Sequence, residues 1–487
     1  MLFHGSGLSH LMLIGLPCFS LCSKKQLPNR RTSTSLNCLK NKQISDWVAK
    51  EIEGGTTLAI GHTVQSGSAS QVQDNILGAN WSGDVCVVGD GAEAMAIAGL
   101  LSSQISQVAN CHLTMLGGVT PPHIEFASAL SLQAQRRAVQ PAELGGARTA
   151  GGATVSAASC YYGAADIPFS KKSHDVEECL DGAQAIVVCG PATVYSAIAR
   201  VLAPALVEGT TIGLVGAPML GAWQFGAELK RFRPDIAVNL VELDCLFNHA
   251  RASADGVSLL GLRRRVNLSG RNRNETRRAL PLACLLSPGF LPSSNMLERG
   301  FLDAESVVRP VFVLSALIGG RIDALGDLSS LLNRSNLSVL AEIEQEISRL
   351  SFSYKCALAD FARALREESF CQVNFEPQPM AEDDPDQDQC YEATLAEALV
   401  GISGEWFKGL EWSHRLAQEV LTRYVSEHLV LLSDLAHLAK VPVPVLDGVI
   451  SMASALIGFD LRNRARGLSQ LGLSGLSQNE ILELVND

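Results

Sequence analysis

Short apolar runs alternate with helical patterns over the first two-thirds of the chain, and helical patterns alone fill most of the rest. Val85-Cys86-Val87-Val88 is a β-branched run that predicts a buried strand, and an Ala-, Ile- and Leu-rich helix pattern follows it. Cys111–Leu116, Ala185–Gly190, Thr210–Val215 and Ile236–Leu243 predict further strands. Val194–Leu206 and Ala222–Lys230 predict helices between them. Strands separated by helices point to a parallel sheet, whose ligands lie beyond the carboxyl ends of its strands. Beyond about residue 310 the strand signals fade. Val313–Ile318, Val339–Arg349, Tyr354–Glu367, Thr394–Gly401, Ser413–His437 and Val445–Leu456 carry helical periodicity. Ser477 and Glu480 have the spacing of a capping box before a last helix. The expected class is α/β followed by all-α.

Composition narrows this picture. The 487 residues are 47% apolar and 18% charged, too apolar for disorder and too long for one small core, so two domains plus extensions are expected. The net charge of −11 argues against a nucleic-acid partner, whose binding surface should be basic. No apolar run approaches the ~20 residues of a membrane span. Thirteen cysteines are scattered without a CxxC pair, which disfavours structural zinc and a disulfide framework. Cys86, Cys189 and Cys245 read as small core residues in a reducing compartment. Residues 1–45 hold no Asp or Glu and are rich in Lys, Arg, Ser and Thr, the signature of a transit peptide or a disordered tail. The expected address is therefore cytoplasmic or organellar. Residues 46–82 read as a linker or extension.

The most informative local stretch is Gly89-x-Gly91-x-x-Ala94, set between the first strand and its helix. Gly89 permits the tight turn, Gly91 removes a Cβ that would strike a pyrophosphate, and Ala94 lets helix and strand pack closely. The helix N-terminus offers free N–H groups to phosphate. This predicts a Rossmann-type domain over 83–285 that binds NAD or NADP, with an all-helical domain over 286–487. Gly190, Pro191 and the Gly216 loop should face the same crevice. Asp90 and Glu93 weaken phosphate binding unless they point to solvent, and no ribose-binding acid follows the second strand, where Gly117-Gly118 stands. The basic stretch from Arg263 to Arg278 reads as a solvated loop, with anion binding as the alternative. The acid run 381–388 reads as an exposed loop. His249 is a minor candidate for acid/base work, and His62, His112, His123, His414 and His437 carry no partner signal.

Over roughly residues 83–485 the order of segments resembles the octopine/nopaline (opine) dehydrogenase family. Its support is the Gly89 turn, the strand set Ala185–Pro218, Ser294–Pro310 (similar to N-V-L-E-T-x-x-N-N and V-x-H-P), Arg423–His428 (R-Y-x-x-E-D), Val441–Asp447 (V-P-T-P-x-x-D) and Arg466–Ser477 (R-T-L-x-x-L-G-L-x-G-L-S). The resemblance implies a two-domain enzyme whose first domain binds NAD(P)H and whose helical domain closes over an amino acid and a 2-oxo acid. The two condense to an imine that hydride reduces. A homodimer is left open.

The resemblance also implies an acid/base His in V-x-H-P, oriented by the Asp of R-Y-x-x-E-D. Here Arg309 holds the His position and His428 the Asp position, while Asp303-Ala304 and Ser306 replace asparagines. An arginine does not release its proton at working pH. The candidate catalytic residues are therefore Arg309, His428 and Glu427. Arg309 would lower the pKa of a neighbouring His428 and clamp a substrate carboxylate, with His428 as a neutral base. Two functions follow: an opine-type NAD(P)-dependent oxidoreductase, or a catalytically inactive or regulatory nucleotide- or metabolite-binding homologue. A 2-oxo acid reductase without amine condensation is a third, generic reading.

Overall fold

The computed structural model describes residues 83–89, 91–102, 108–111, 129–134, 164–168, 171–173, 175–253, 256–263, 266–286, 290–326, 331–368, 395, 398–399 and 412–486. The expectations for 1–45, 46–82, 112–118 and 381–388 lie outside these residues.

In chain order the first half holds β1 (Asp84–Val88), α1 (Ala92–Ser102), β2 (Val108–Cys111), β3 (Ala129–Ala134), β4 (Ala164–Pro168), β5 (Lys171–Ser173), α2 (Val176–Leu180) and β6 (Ala183–Cys189). Then come α3 (Tyr195–Leu202), β7 (Thr211–Val215), α4 (Gly221–Phe232), β8 (Asn239–Leu243), β9 (Phe247–Ser253), β10 (Gly256–Leu262), β11 (Val266–Gly270), α5 (Arg273–Leu286) and β12 (Phe290–Pro292). The second half is helical: α6 (Met296–Leu302), α7 (Glu305–Ile318), α8 (Arg334–Ser353), α9 (Phe361–Glu368), α10 (His414–Tyr424), a π-turn (Val425–Leu429), α11 (Val430–Leu438), α12 (Pro444–Ile457) and α13 (Gln478–Asn486).

The main sheet has the order β12-β11-β8-β7-β6-β1-β2-β5. From β5 to β8 every pair is parallel, while β11 runs antiparallel to β8. The chain leaves β1 for β2 on one side and later returns to β6 on the other, so the strand order reverses at β1. That reversal opens a crevice at the carboxyl ends. A second sheet, β4-β3-β10-β9, was not legible in the sequence, and α1 packs against it.

Alternation along each strand divides the core. Val85, Val87, Ala185, Val187 and Leu243 face α1 and α5, whereas Cys86, Val88, Ile186, Val188 and Leu214 face α3 and α4. The second of these cores continues without interruption into Phe301, Phe312, Leu340, Tyr354 and Leu431 of the helices. Sheet and helices are thus joined by shared apolar packing. Truncating a wholly buried ring such as Phe312 should cost about 3–5 kcal/mol. Close approach needs small residues at the seam: a Cβ on Gly300 of α6 would lie 2.4 Å from Met219 Cγ.

Several expected boundaries shift. The second strand is Val108–Cys111 rather than Cys111–Leu116. The helix expected from Val313 begins at Glu305 and runs through Pro310, because Asp303 accepts bonds from the Ser306 N–H (3.1 Å) and hydroxyl (2.6 Å) at its first turn. Tyr354–Asp360 is not helical, and α9 starts at Phe361, whose N–H is taken by buried Glu344 at 2.7 Å. Of the helix expected over Thr394–Gly401, residues 395, 398 and 399 are described, and they are helical. The helix expected over Ser413–His437 is interrupted by the π-turn. The capping box forms at α13: Glu480 accepts from the Ser477 N–H at 2.7 Å, and Ser477 Oγ accepts from the Glu480 N–H at 3.3 Å. No described helix is long and apolar enough to cross a membrane.

Candidate active site

The turn after β1 is sterically determined. Gly89 has φ +154°, and a Cβ there would lie 2.7 Å from the Cys189 carbonyl oxygen and 2.8 Å from the Ala94 methyl. Ala94 is wholly buried. Gly91 differs: a Cβ there would meet nothing within 4 Å, so the space before α1 is open. The first N–H groups of α1 have no intrahelical acceptor and point toward that space. Glu93 is exposed; Asp90 lies outside the described residues. Gly190 and Pro191 follow the end of β6, beside β1, and Pro191 leads into a short 3-10 turn. Gly89, Gly91, Ala94, Gly190 and Pro191 are therefore gathered at one edge of the crevice. An open, amide-lined cradle at a helix N-terminus fits a pyrophosphate.

A cleft of about 450 Å³, counting its open mouth, lies at the carboxyl ends of the next strands. The sheet side contributes Gly216–Pro218 after β7, Asp244 and Cys245 after β8, and Arg263 after β10. The helical side contributes Asp303, Glu305 and Ser306 at the start of α7, Arg423 and Tyr424 at the end of α10, and Glu427 and His428 in the π-turn. A π-turn rotates the side chains that follow and is common at functional sites. Cys245 is only partly buried and lines this cleft, not a core residue as expected. Glu93 acts electrostatically on both Cys245 and Arg423, so the glycine turn and the cleft are neighbours.

Two buried arginines fix the floor. Arg299 of α6 has no exposed surface and donates to Glu242 (2.8 Å), Asp244 (2.6 Å) and the Ala217 carbonyl (2.8 Å). Arg466 donates to the Met219 carbonyl at 2.6 Å and to Gln224. Burial brings its pKa down to about 10, against the pull of Glu242, Tyr195 and Glu427. Both hold the loop between β7 and α4, where buried Leu220 sits left-handed at φ +61°. Such a conformation in a branched residue persists only when its surroundings hold it.

A third cluster forms around Glu305. It pairs with Arg263, pairs with Arg309 at 2.5 Å, and accepts the Tyr424 hydroxyl at 3.0 Å. The Arg309 guanidinium also lies 5.6 Å from the Tyr424 ring centre, a cation–π contact. This corrects two expectations. Arg263 is buried and paired instead of lying in a solvated loop, and Arg271 of the same stretch is paired with Glu275. Arg309 stands behind Glu305, is not a lining residue of the cleft, and is not among the charges acting on His428.

His428 is 1% exposed and lines the cleft, and neither ring nitrogen has a hydrogen-bond partner. Burial brings its pKa down to about 4; Asp303 opposes this, and Arg299 and Arg466 reinforce it. Burial also disfavours charge on Asp303. His428, Ser306, Arg299 and Arg263 outweigh it and hold the carboxyl below its ordinary range. Glu427 lies beside His428 in the turn and accepts from Arg423 at 3.4 Å. Arg423 keeps half of its side chain exposed.

Of the expected catalytic trio, His428 and Glu427 share the cleft and Arg309 does not. Sequence reasoning assigned no role to Asp303, Arg299, Arg466, Glu305 or Tyr424, although each lies in or beside a segment that carried the family resemblance. His249 lies in β9, opposite Leu260. His437, expected to be partnerless, meets Asp447 at 3.1 Å. Asp447 also accepts from Ser433 (2.6 Å) and Arg462 (2.5 Å), so the V-P-x-P-x-x-D segment is a structural tie among helices.

No protein-family model matches the chain. A curated opine dehydrogenase of Arthrobacter sp. (strain 1C) is 38% identical over 85 residues, which is 18% of this chain and 23% of that relative. The match thus spans under a quarter of that relative's length. Among solved structures, octopine dehydrogenase in complex with NADH and agmatine aligns with 82% of this chain and 98% of its own, at TM-score 0.52 and 16% identity. NADP+-bound yersinopine dehydrogenase aligns with 83% of this chain and 97% of its own, at TM-score 0.52 and 15% identity. The fold is opine dehydrogenase-like: a Rossmann-type sheet domain followed by helices.

Proposed function

We propose that this protein is an NAD(P)-dependent oxidoreductase of the opine type, acting on the C–N bond formed between an amino acid and a 2-oxo acid. The observation that carries the reading is the open glycine turn at the carboxyl ends of the paired strands β1 and β6, adjoining a charged cleft roofed by helices. Octopine and yersinopine dehydrogenases of the same fold hold NADH and NADP+, respectively.

In this chain the Gly89–Ala94 turn and the N-terminus of α1 would hold the pyrophosphate, with Gly190 and Pro191 as the adjoining wall. The bound coenzyme supplies a hydride. Arg423 is the cleft cation suited to a substrate carboxylate, because its side chain is half-exposed and its ion pair with Glu427 is long at 3.4 Å. Arg309, the expected clamp, is already engaged by Glu305. The buried Arg299 and Arg466 keep the loop carbonyls turned away from substrate.

Thermal-shift and fluorescence titration with NADH and NADPH test this reading. A ligand at 100 times its dissociation constant stabilises a fold by about 2.7 kcal/mol. Coenzyme oxidation with pyruvate plus amino acids, absent with pyruvate alone, identifies the opine reaction; oxidation with pyruvate alone identifies a plain 2-oxo acid reductase. No response to either coenzyme refutes the reading. A second reading, a binding protein without turnover, draws on Arg309 standing where the family's acid/base histidine is expected. It requires coenzyme binding with no oxidation across the substrate matrix.

A further inference from the structure

We propose that His428, which shares the cleft with the carboxylate of Asp303, is the group that exchanges a proton with the ligand there. This moves the proton chemistry from α7, where Arg309 stands, to the π-turn. The inference rests on the cleft being the substrate site proposed above.

The argument starts from an imbalance in the polar groups. His428 is 1% exposed, yet both ring nitrogens lack a partner, and the side chain lines the cleft. A buried imidazole left this way costs stability unless a ligand uses it. The turn that presents it is a π-turn, closed by the Val430 N–H donating to the Val425 carbonyl. Across the cleft is Asp303, whose carboxylate is fixed by the N–H (3.1 Å) and hydroxyl (2.6 Å) of Ser306. These two bonds hold the carboxylate at the helix start, and its charge favours the imidazolium form of His428.

The other charged groups near His428 do not replace Asp303. Arg299 on α6 and Arg466 beyond α12 act against protonation. Arg423 and Tyr424 on α10 and Glu427 in the turn line the same wall, but Glu427 is tied to Arg423 and Tyr424 to Glu305. Asp303 is the carboxylate that favours imidazolium.

The proton step balances within the pair and the substrates. Neutral His428 takes one proton from the substrate ammonium, freeing the nitrogen lone pair. That pair adds to the carbonyl carbon of the 2-oxo acid, and the C=O π pair moves to oxygen. The imidazolium returns the proton to that oxygen, giving a carbinolamine still protonated on nitrogen and a neutral ring. Asp303 stabilises the transient imidazolium without taking the proton itself.

The test uses the full chain with ring-labelled histidine, followed by NMR across the pH range in which each variant keeps its native circular dichroism. The chain has ten histidines, and His428→Gln identifies the resonance. Asp303→Asn should lower the midpoint of that resonance by about one pH unit or more, a tenfold change in proton affinity. An unchanged midpoint overturns the pairing. In turnover, His428→Gln should reduce kcat/KM by about 10²- to 10⁴-fold with coenzyme affinity retained. Asp303→Asn should reduce kcat more than it changes KM and move the acid limb of the pH profile downward. Turnover at the wild-type rate in His428→Gln overturns the proposal. Failure to bind NADH or NADPH falls on the redox reading alone, because the imidazole titration needs no coenzyme.

Discussion

Arg299→Met removes the cation on which two buried carboxylates depend. The wild-type guanidinium makes three hydrogen bonds and, like Glu242, has no exposed surface. Removing one partner of a buried ion pair costs about 3–5 kcal/mol, because the remaining charge is left desolvated. The structure places this case in the lower half of that range. Asp244 keeps bonds from the Asn267 N–H (3.0 Å) and side-chain amide (2.7 Å), and Glu242 keeps the Ala222 N–H (2.9 Å). Even so, the loss is large against the 5–15 kcal/mol typical of folded domains. The sign of its pH dependence follows from Glu242. Burial already raises its pKa, and Arg299 opposes that rise. Without Arg299 the folded pKa climbs further, so the cost of the charged form grows at high pH and fades as pH falls toward the unfolded value. Urea denaturation followed by circular dichroism should therefore show a greater loss at about pH 8 than at about pH 5. A loss below about 1 kcal/mol, or the same loss at both pH values, would refute the assignment of this cluster as a buried charge lock.

Other consequences are equally specific. Gly89→Ala should cost about 1–3 kcal/mol by overpacking against Cys189 and Ala94 and abolish NADH and NADPH binding, measured by thermal melts and coenzyme fluorescence. Gly91→Val, whose Cβ meets open space, should leave the melt unchanged and still weaken coenzyme binding; intact affinity would mean that phosphate does not sit there. Arg423→Gln should change stability by under about 1 kcal/mol, since the Arg423 side chain is half-exposed and its contact with Glu427 is long at 3.4 Å, while raising KM for the 2-oxo acid. An unchanged KM would remove Arg423 from the substrate site. Although burial opposes it, Ser433, Arg462 and His437 hold the Asp447 carboxyl below its ordinary range. Its contribution is thus present above the unfolded pKa and lost as pH falls through the folded value. Asp447→Asn should flatten that acid-side loss in a stability-versus-pH series.

The sequence by itself determined whatever depends on neighbours along the chain. Val85–Val88 followed by Gly89 and Gly91 specified a strand, a turn and a helix, because a Cβ at Gly89 has nowhere to go. Alternating strand and helix patterns specified the parallel core from β1 to β8, and Ser477 with Glu480 specified the start of α13. The second sheet was hidden because its strands come from two distant segments, each marginal alone. The charge partners were hidden for the same reason. Arg299 meets Glu242 across 57 positions and Arg466 meets Met219 across 247. Arg309 looked like a clamp in sequence, and only folding showed that Glu305 had already taken it, leaving Asp303 to face His428. Periodicity and steric exclusion act over a few residues, so they are written locally. Burial and electrostatic pairing depend on which segments the fold brings together, and only the tertiary structure decides that.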